Sequence, residues 1–114
     1  MTDPIQPNYQ LPTEGPQDPI LQELLPEFLD SWLNDLTTTW AGIRERADVQ
    51  ELYRFGHTIK GSFIQFGFRD LSAAGREIME DANAGAWNDA EARVNALLSV
   101  VNTMRNHLSS SPSS

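Results

Sequence analysis

His57 opens the run His57-Thr58-Ile59-Lys60-Gly61-Ser62, and the residues around it recur at helical spacing. With residues 52 to 66 placed on a helix at roughly 100° per residue, Leu52, Phe55, Ile59, Phe63 and Phe66 gather opposite the histidine. Tyr53, Lys60, Gly61 and Ile64 fall within roughly 60° of it. The imidazole is therefore expected to face solvent. An exposed neutral imidazole offers a ring-nitrogen lone pair that can attack phosphorus. Lys60, on the same face, can offset the negative charge of an attached phosphoryl group. Gly61 costs about 1 kcal/mol against alanine in a helix, and what it offers in return is room for a bulky partner. Arg54 flanks the histidine on the side away from Lys60, which makes the local field positive. Ser62 leans inward, placed to bond either the imidazole or a backbone carbonyl.

The rest of the chain narrows the chemistry. Its 114 residues suit one domain, and 39% hydrophobic residues are enough for a core. Without cysteine there is no disulfide framework, no thiol nucleophile and no Cys-based metal site. Sixteen acids against eight bases leave a net charge of −8, which would repel a nucleic-acid backbone. Met1-Thr2-Asp3-Pro4 has neither a basic start nor an apolar run, so no signal peptide is expected, and no run is apolar for long enough to span a membrane. A cytoplasmic monomer is expected. The two histidines are fifty residues apart and no carboxylate has ligand spacing around His57, so no metal site is read. His107 falls near a helix C-terminus, where it complements the dipole. Trp32, Trp40 and the phenylalanines are read as core, and Glu77, Glu80 and Asp81 as a solvated face.

These residues must be held by helices. Pro4, Pro7, Pro12, Pro16 and Pro19 crowd the start of the chain, so residues 1–18 read as an extended Pro-rich arm, with Ile5, Tyr9 and Leu11 available to dock. From Pro19 to Arg46 one amphipathic stripe runs through Leu21, Leu25, Phe28, Leu29, Trp32, Leu36, Trp40 and Ile43. Pro26 is costly inside a helix, so the spacing predicts a short helical lead-in and a main helix with Pro26 in its first turn. A second helix covers about 48 to 66 and stops at Gly67. Asp70 is the expected N-cap of a third, with Leu71, Ala74, Ile78 and Ala82 inward and Gly85 as its stop. Asn88 and Glu91 have capping-box spacing before a fourth, whose apolar residues are Val94, Leu97, Leu98, Val101, Met104 and Leu108. The fold class is all-α, an antiparallel up-and-down four-helix bundle over 19–108, followed by a disordered Ser/Pro tail, 109–114.

His57-Thr58-Ile59-Lys60-Gly61-Ser62, followed by Gly67 and Leu71, resembles the signature of histidine-containing phosphotransfer (HPt) domains. The likeness covers about residues 20 to 108, including the long first helix and the Gly85-Ala86-Trp87 turn. In that family a four-helix bundle displays one histidine, which takes a phosphoryl group from a receiver-domain aspartate and hands it to another. The resemblance implies that His57 is phosphorylated, that Lys60 assists and that Gly61 keeps access open. It implies response-regulator receiver domains and a (hybrid) sensor histidine kinase as partners. Two positions depart from the pattern. Phe63 stands where many members have a small residue, and Met79 stands about where some have a glutamine that holds the imidazole. Arg76 and Glu80 are the polar neighbours left for that task, or nothing performs it.

Tyr53, Arg54, Ile64 and Phe68 are expected to form the docking surface, since exposed apolar residues beside His57 invite a partner. No glycine-rich loop or phosphate-binding lysine motif for ATP is present. A carrier without kinase activity and without a cofactor of its own is expected, Mg²⁺ coming with the receiver. A phosphorylation-independent adapter that binds receivers or kinases is the alternative. A histidine phosphatase is a third reading, but its Arg-His-Gly motif is missing.

Overall fold

The structure, a computed structural model, describes residues 5–109. Asp18 opens the first helix, its carboxylate accepting the Ile20 N–H at 2.8 Å, and Pro19 occupies the first turn where its missing N–H costs nothing. This helix, α1, is Pro19–Asn34. The expected break at Pro26 does not occur. Pro26 lies in the interior of α1, and among the described residues no separate lead-in helix precedes it. A proline there loses one backbone bond and crowds the preceding turn, at about 3 kcal/mol. The stripe that crosses it outweighs that local cost: Leu29 and Trp32 are buried, and Leu21, Leu25 and Phe28 pack on the core.

The helical path continues through a π-helical turn, Asp35–Thr39, into α2, Trp40–Arg46. The sequence hides this turn in three consecutive threonines. Thr37 donates its hydroxyl to the Leu33 carbonyl at 2.7 Å, and Thr39 donates to the Asp35 carboxylate at 2.9 Å. Such side-chain bonds compete with the regular ladder, while the wider turn keeps both Leu36 and Trp40 inward. Ala47 ends α2 in the left-handed region at φ 52°.

Helix α3, Val49–Gln65, starts on Asp48, whose carboxylate accepts the Gln50 N–H at 2.9 Å. Gly67 turns the chain away at φ 85°. Helix α4 is Arg69–Ala84, and Gly85 stops it at φ 64°. Its N-cap is Phe68 and not Asp70, because the buried Phe68 ring fixes the entry; Asp70 falls in the first turn, where a negative charge suits the helix dipole. Helix α5, Trp87–Ser109, begins before the expected capping box. Asn88 is already inside it, and its side-chain oxygen accepts a 3.0 Å bond from Arg44.

Among the described residues every regular element is helical, and the helices enclose one core. An aromatic stack links α1 and α2 to α3: Phe28 lies on Phe66 at 4.0 Å between centroids, Phe28 meets Phe63 edge-on at 5.1 Å, and Trp40 stacks on Phe55 at 6.3 Å. Phe63, fully buried, is the hub that ties α3 to the first helix.

The arm is anchored. Tyr9 is half-buried and donates its hydroxyl to Glu77 at 2.7 Å. Burial, more than the neighbouring carboxylate, raises the phenol above its ordinary pKa. Arg93 on α5 completes the clasp, reaching Glu77 at 3.5 Å and Asp81 at 2.7 Å. The solvated acidic face expected here is thus half wrong. Asp81 is buried, its carboxyl pushed above the usual value by burial and pulled back by Arg93; Glu80 alone is exposed. Leu11 remains 39% exposed, Met1–Pro4 lie outside the described residues, and so does the tail from residue 110.

Candidate functional site

His57 faces solvent from the middle of α3, with Lys60 and Gly61 exposed on the same side. The five residues opposite it, Leu52, Phe55, Ile59, Phe63 and Phe66, are all buried. The helical register read from the periodicity is therefore the register of the fold. A Cβ built on Gly61 meets nothing within 4 Å. The glycine is not required for packing, and its surface stays open.

What holds this face is a seam that the sequence reading did not identify. Helices α3 and α4 pack most closely of all pairs, backbone against backbone. A Cβ on Gly56 would sit 2.7 Å from the Gly75 carbonyl oxygen and 2.9 Å from the Met79 nitrogen. A Cβ on Gly75 would run into the Gly56 oxygen and the Lys60 nitrogen. Buried Ser72 donates its hydroxyl to the Lys60 carbonyl at 2.8 Å. Helix α4 thus grips α3 at the residue before His57 and at Lys60 itself. Two glycines inside helices were the available signal, since each costs about 1 kcal/mol and calls for a packing reason.

Tyr53 and Ile64 are 39% and 48% exposed, so two apolar side chains flank His57 in water. Tyr53 and Arg54 also line an open groove with Val49, Gln50, Ala82 and Asn83, where α3 begins beside the end of α4. Phe68 does not join them. It is 4% exposed and packs with Phe63 at 6.5 Å between centroids, so the expected docking role is withdrawn. The reason is its place at the turn between α3 and α4, where an inward ring closes the end of the core. Ser62 makes no side-chain hydrogen bond among the described residues, and neither does His57. Met79 reaches back over Gly56, its Cγ 3.0 Å from the Cβ position there. A thioether, not an amide, thus occupies the space beside the histidine's helix. Among the described residues no group of three His, Asp or Glu side chains is arranged to hold a metal ion. No helix there is long and apolar enough to cross a membrane.

A family model described as the Hpt domain matches residues 23–108. The chain belongs to the Hpt domain family. No curated protein and no solved structure matches it. Membership carries histidine phosphotransfer within a phosphorelay as the broad function, and Hpt domains are phosphocarriers and not kinases. Two-component signalling through a phosphohistidine on a helical bundle follows with it. The family acts with receiver domains and histidine kinases.

Two consequences can be measured. Gly61→Glu should leave the melting temperature unchanged or slightly higher, because glutamate is the better helix former by several tenths of a kcal/mol and its Cβ meets nothing within 4 Å. Phosphoryl acceptance should fall roughly tenfold or more, each tenfold being about 1.4 kcal/mol of barrier, through bulk and negative charge beside the incoming group. Gly61→Ala should show a firmer helix with a milder defect. Ile64→Asp should weaken receiver binding by about 1–2 kcal/mol while far-UV circular dichroism and the melting temperature stay put. Unfolding of Ile64→Asp would mean that the side chain is part of the core.

Proposed function

We propose that the chain is a phosphorelay intermediate that accepts a phosphoryl group on His57 from a receiver-domain aspartyl phosphate and passes it to another receiver. The observation that carries this is the exposed His57–Lys60–Gly61 face on a helix whose opposite side is wholly core. A ring-nitrogen lone pair forms the P–N bond as the acyl-phosphate P–O bond breaks, and the aspartate leaves as carboxylate. The proton on the other ring nitrogen is free to go to solvent. The second transfer is the reverse, with a new aspartate as nucleophile. Lys60 offsets the added charge, and open space at Gly61 admits the receiver, which brings Mg²⁺ and the acidic pocket around it. The chain supplies position and charge, with no cofactor of its own.

The bundle is read as antiparallel up-and-down over 19–108, carried in the cytoplasm, where sensor kinases and receivers meet. Ser72 bonded to Lys60, and Gly75 and Met79 set against Gly56, support that direction for α3 and α4, since number falls on one helix as it rises on the other. The test is to incubate the protein with a receiver charged by acetyl phosphate and look for acid-labile, base-stable label. Label on the protein supports the reading. Receiver binding with no label would make it an adapter.

A further inference from the structure

The eight lysine and arginine side chains divide into two sets. Arg44 lies over the Trp87 ring at 5.6 Å and bonds Asn88, Arg46 pairs with Glu51 at 2.9 Å, Arg93 with Asp81 at 2.7 Å, and Arg105 with Asp30 at 2.7 Å. The other four, Arg54, Lys60, Arg69 and Arg76, are exposed, and their side chains have no ion pair or hydrogen bond among the described residues. All four stand on α3 and α4. Among the described residues, every Lys or Arg side chain without an ion pair or hydrogen bond is therefore on the two helices that frame His57, in a chain with net charge −8.

Their placement follows from the seam. Contacts step from Ser72 with Lys60 to Gly75 and Met79 with Gly56, so the stretch of α4 level with His57 is the one that holds Arg76. Arg69 is seven residues earlier, two turns along the same face of α4. Arg54 and Lys60 flank His57 on either side, each at roughly 60° around α3. Glu80 is one turn beyond Arg76, yet the structure has no ion pair between them.

We propose that Arg54, Arg69 and Arg76 form, with Lys60, a basic collar around His57 that selects receivers with an acidic face around the phosphorylated aspartate. This rests on the proposed function. The chain as a whole, with sixteen acids against eight bases, repels such a face, while the four unpaired side chains of the collar attract it. It supplies orientation as well as rate, and steering of this kind raises association rates by roughly ten- to a thousandfold.

The test uses the full chain and a purified, acid-faced receiver domain charged with acetyl phosphate. The second-order transfer rate should fall as salt rises from roughly 50 to 300 mM, because the Debye length shortens. Arg76→Glu and Arg69→Glu should each lower that rate about tenfold and flatten its salt dependence, while the single-turnover rate at saturating receiver changes less than about twofold. Arg105→Glu makes the same change in net charge at a residue of α5 and should stay within about twofold of wild type. An equal loss in Arg105→Glu, or transfer indifferent to salt, would overturn the collar. Calorimetric binding of the uncharged receiver is measured alongside. If the wild type takes no label but the Arg69 and Arg76 variants still bind more weakly, the phosphotransfer reading fails and the collar stands.

Discussion

His57→Gln should take no phosphoryl label from a charged receiver and should keep the fold. An amide nitrogen has its lone pair delocalised and cannot form a stable P–N bond, so acceptance falls to background and not by a fraction. The side chain is exposed and makes no hydrogen bond among the described residues, so its removal should shift stability by no more than about 0.5 kcal/mol. The two readouts together separate chemistry from folding. Autoradiography after gel separation measures the first, and thermal melting the second. Persistent label on His57→Gln would sink the assignment. Label that moves to His107 would redirect it to the end of α5, where that side chain is also exposed.

Gly75→Val gives the largest loss of stability expected from any single change on the seam. Its new Cβ would meet the Gly56 carbonyl and the Lys60 nitrogen, which are backbone atoms of a packed helix and cannot swing aside. The helices must part, and with that the Ser72 bond to Lys60 is stretched and the core beneath loosens. Overpacking of this kind costs about 1–3 kcal/mol or more. The helix propensity gained on replacing glycine recovers only a few tenths of a kcal/mol. For a domain of this size about 3 kcal/mol corresponds to a fall of roughly 12–24 °C in melting temperature. Gly61→Ala is the contrast, expected to stabilise. Two glycines fourteen residues from each other on adjacent helices should thus respond with opposite sign, and urea titration of both variants measures it. A Gly75→Val protein as stable as wild type would mean that α3 and α4 are not in backbone contact.

Legibility in the sequence followed the range of the physics involved. The face of α3 was readable because helical periodicity is local: five apolar residues on one side decide where His57 points, whatever they pack against. The stops at Gly67 and Gly85 were readable for the same reason, since both adopt positive φ, which glycine tolerates best. Helix starts were less so. Asp70 and Asn88 have capping side chains, but a buried Phe68 set one boundary and Asn88 was drawn into α5, with Arg44 bonded to its side chain.

The sequence by itself determined the helical composition, the two inner faces of α3 and α4, and the exposure of His57, Lys60 and Gly61, because each depends on spacing within one segment. Only the tertiary structure decided that α1 runs through Pro26, that Phe68 is core, that Tyr9 clasps the arm to Glu77, and that Gly56 and Gly75 bring two backbones together under the histidine. It also decided which four Lys and Arg side chains have no ion pair or hydrogen bond among the described residues. Each of these is settled by energy shared between residues far apart in the chain, where burial or pairing across helices overrides what the local sequence prefers.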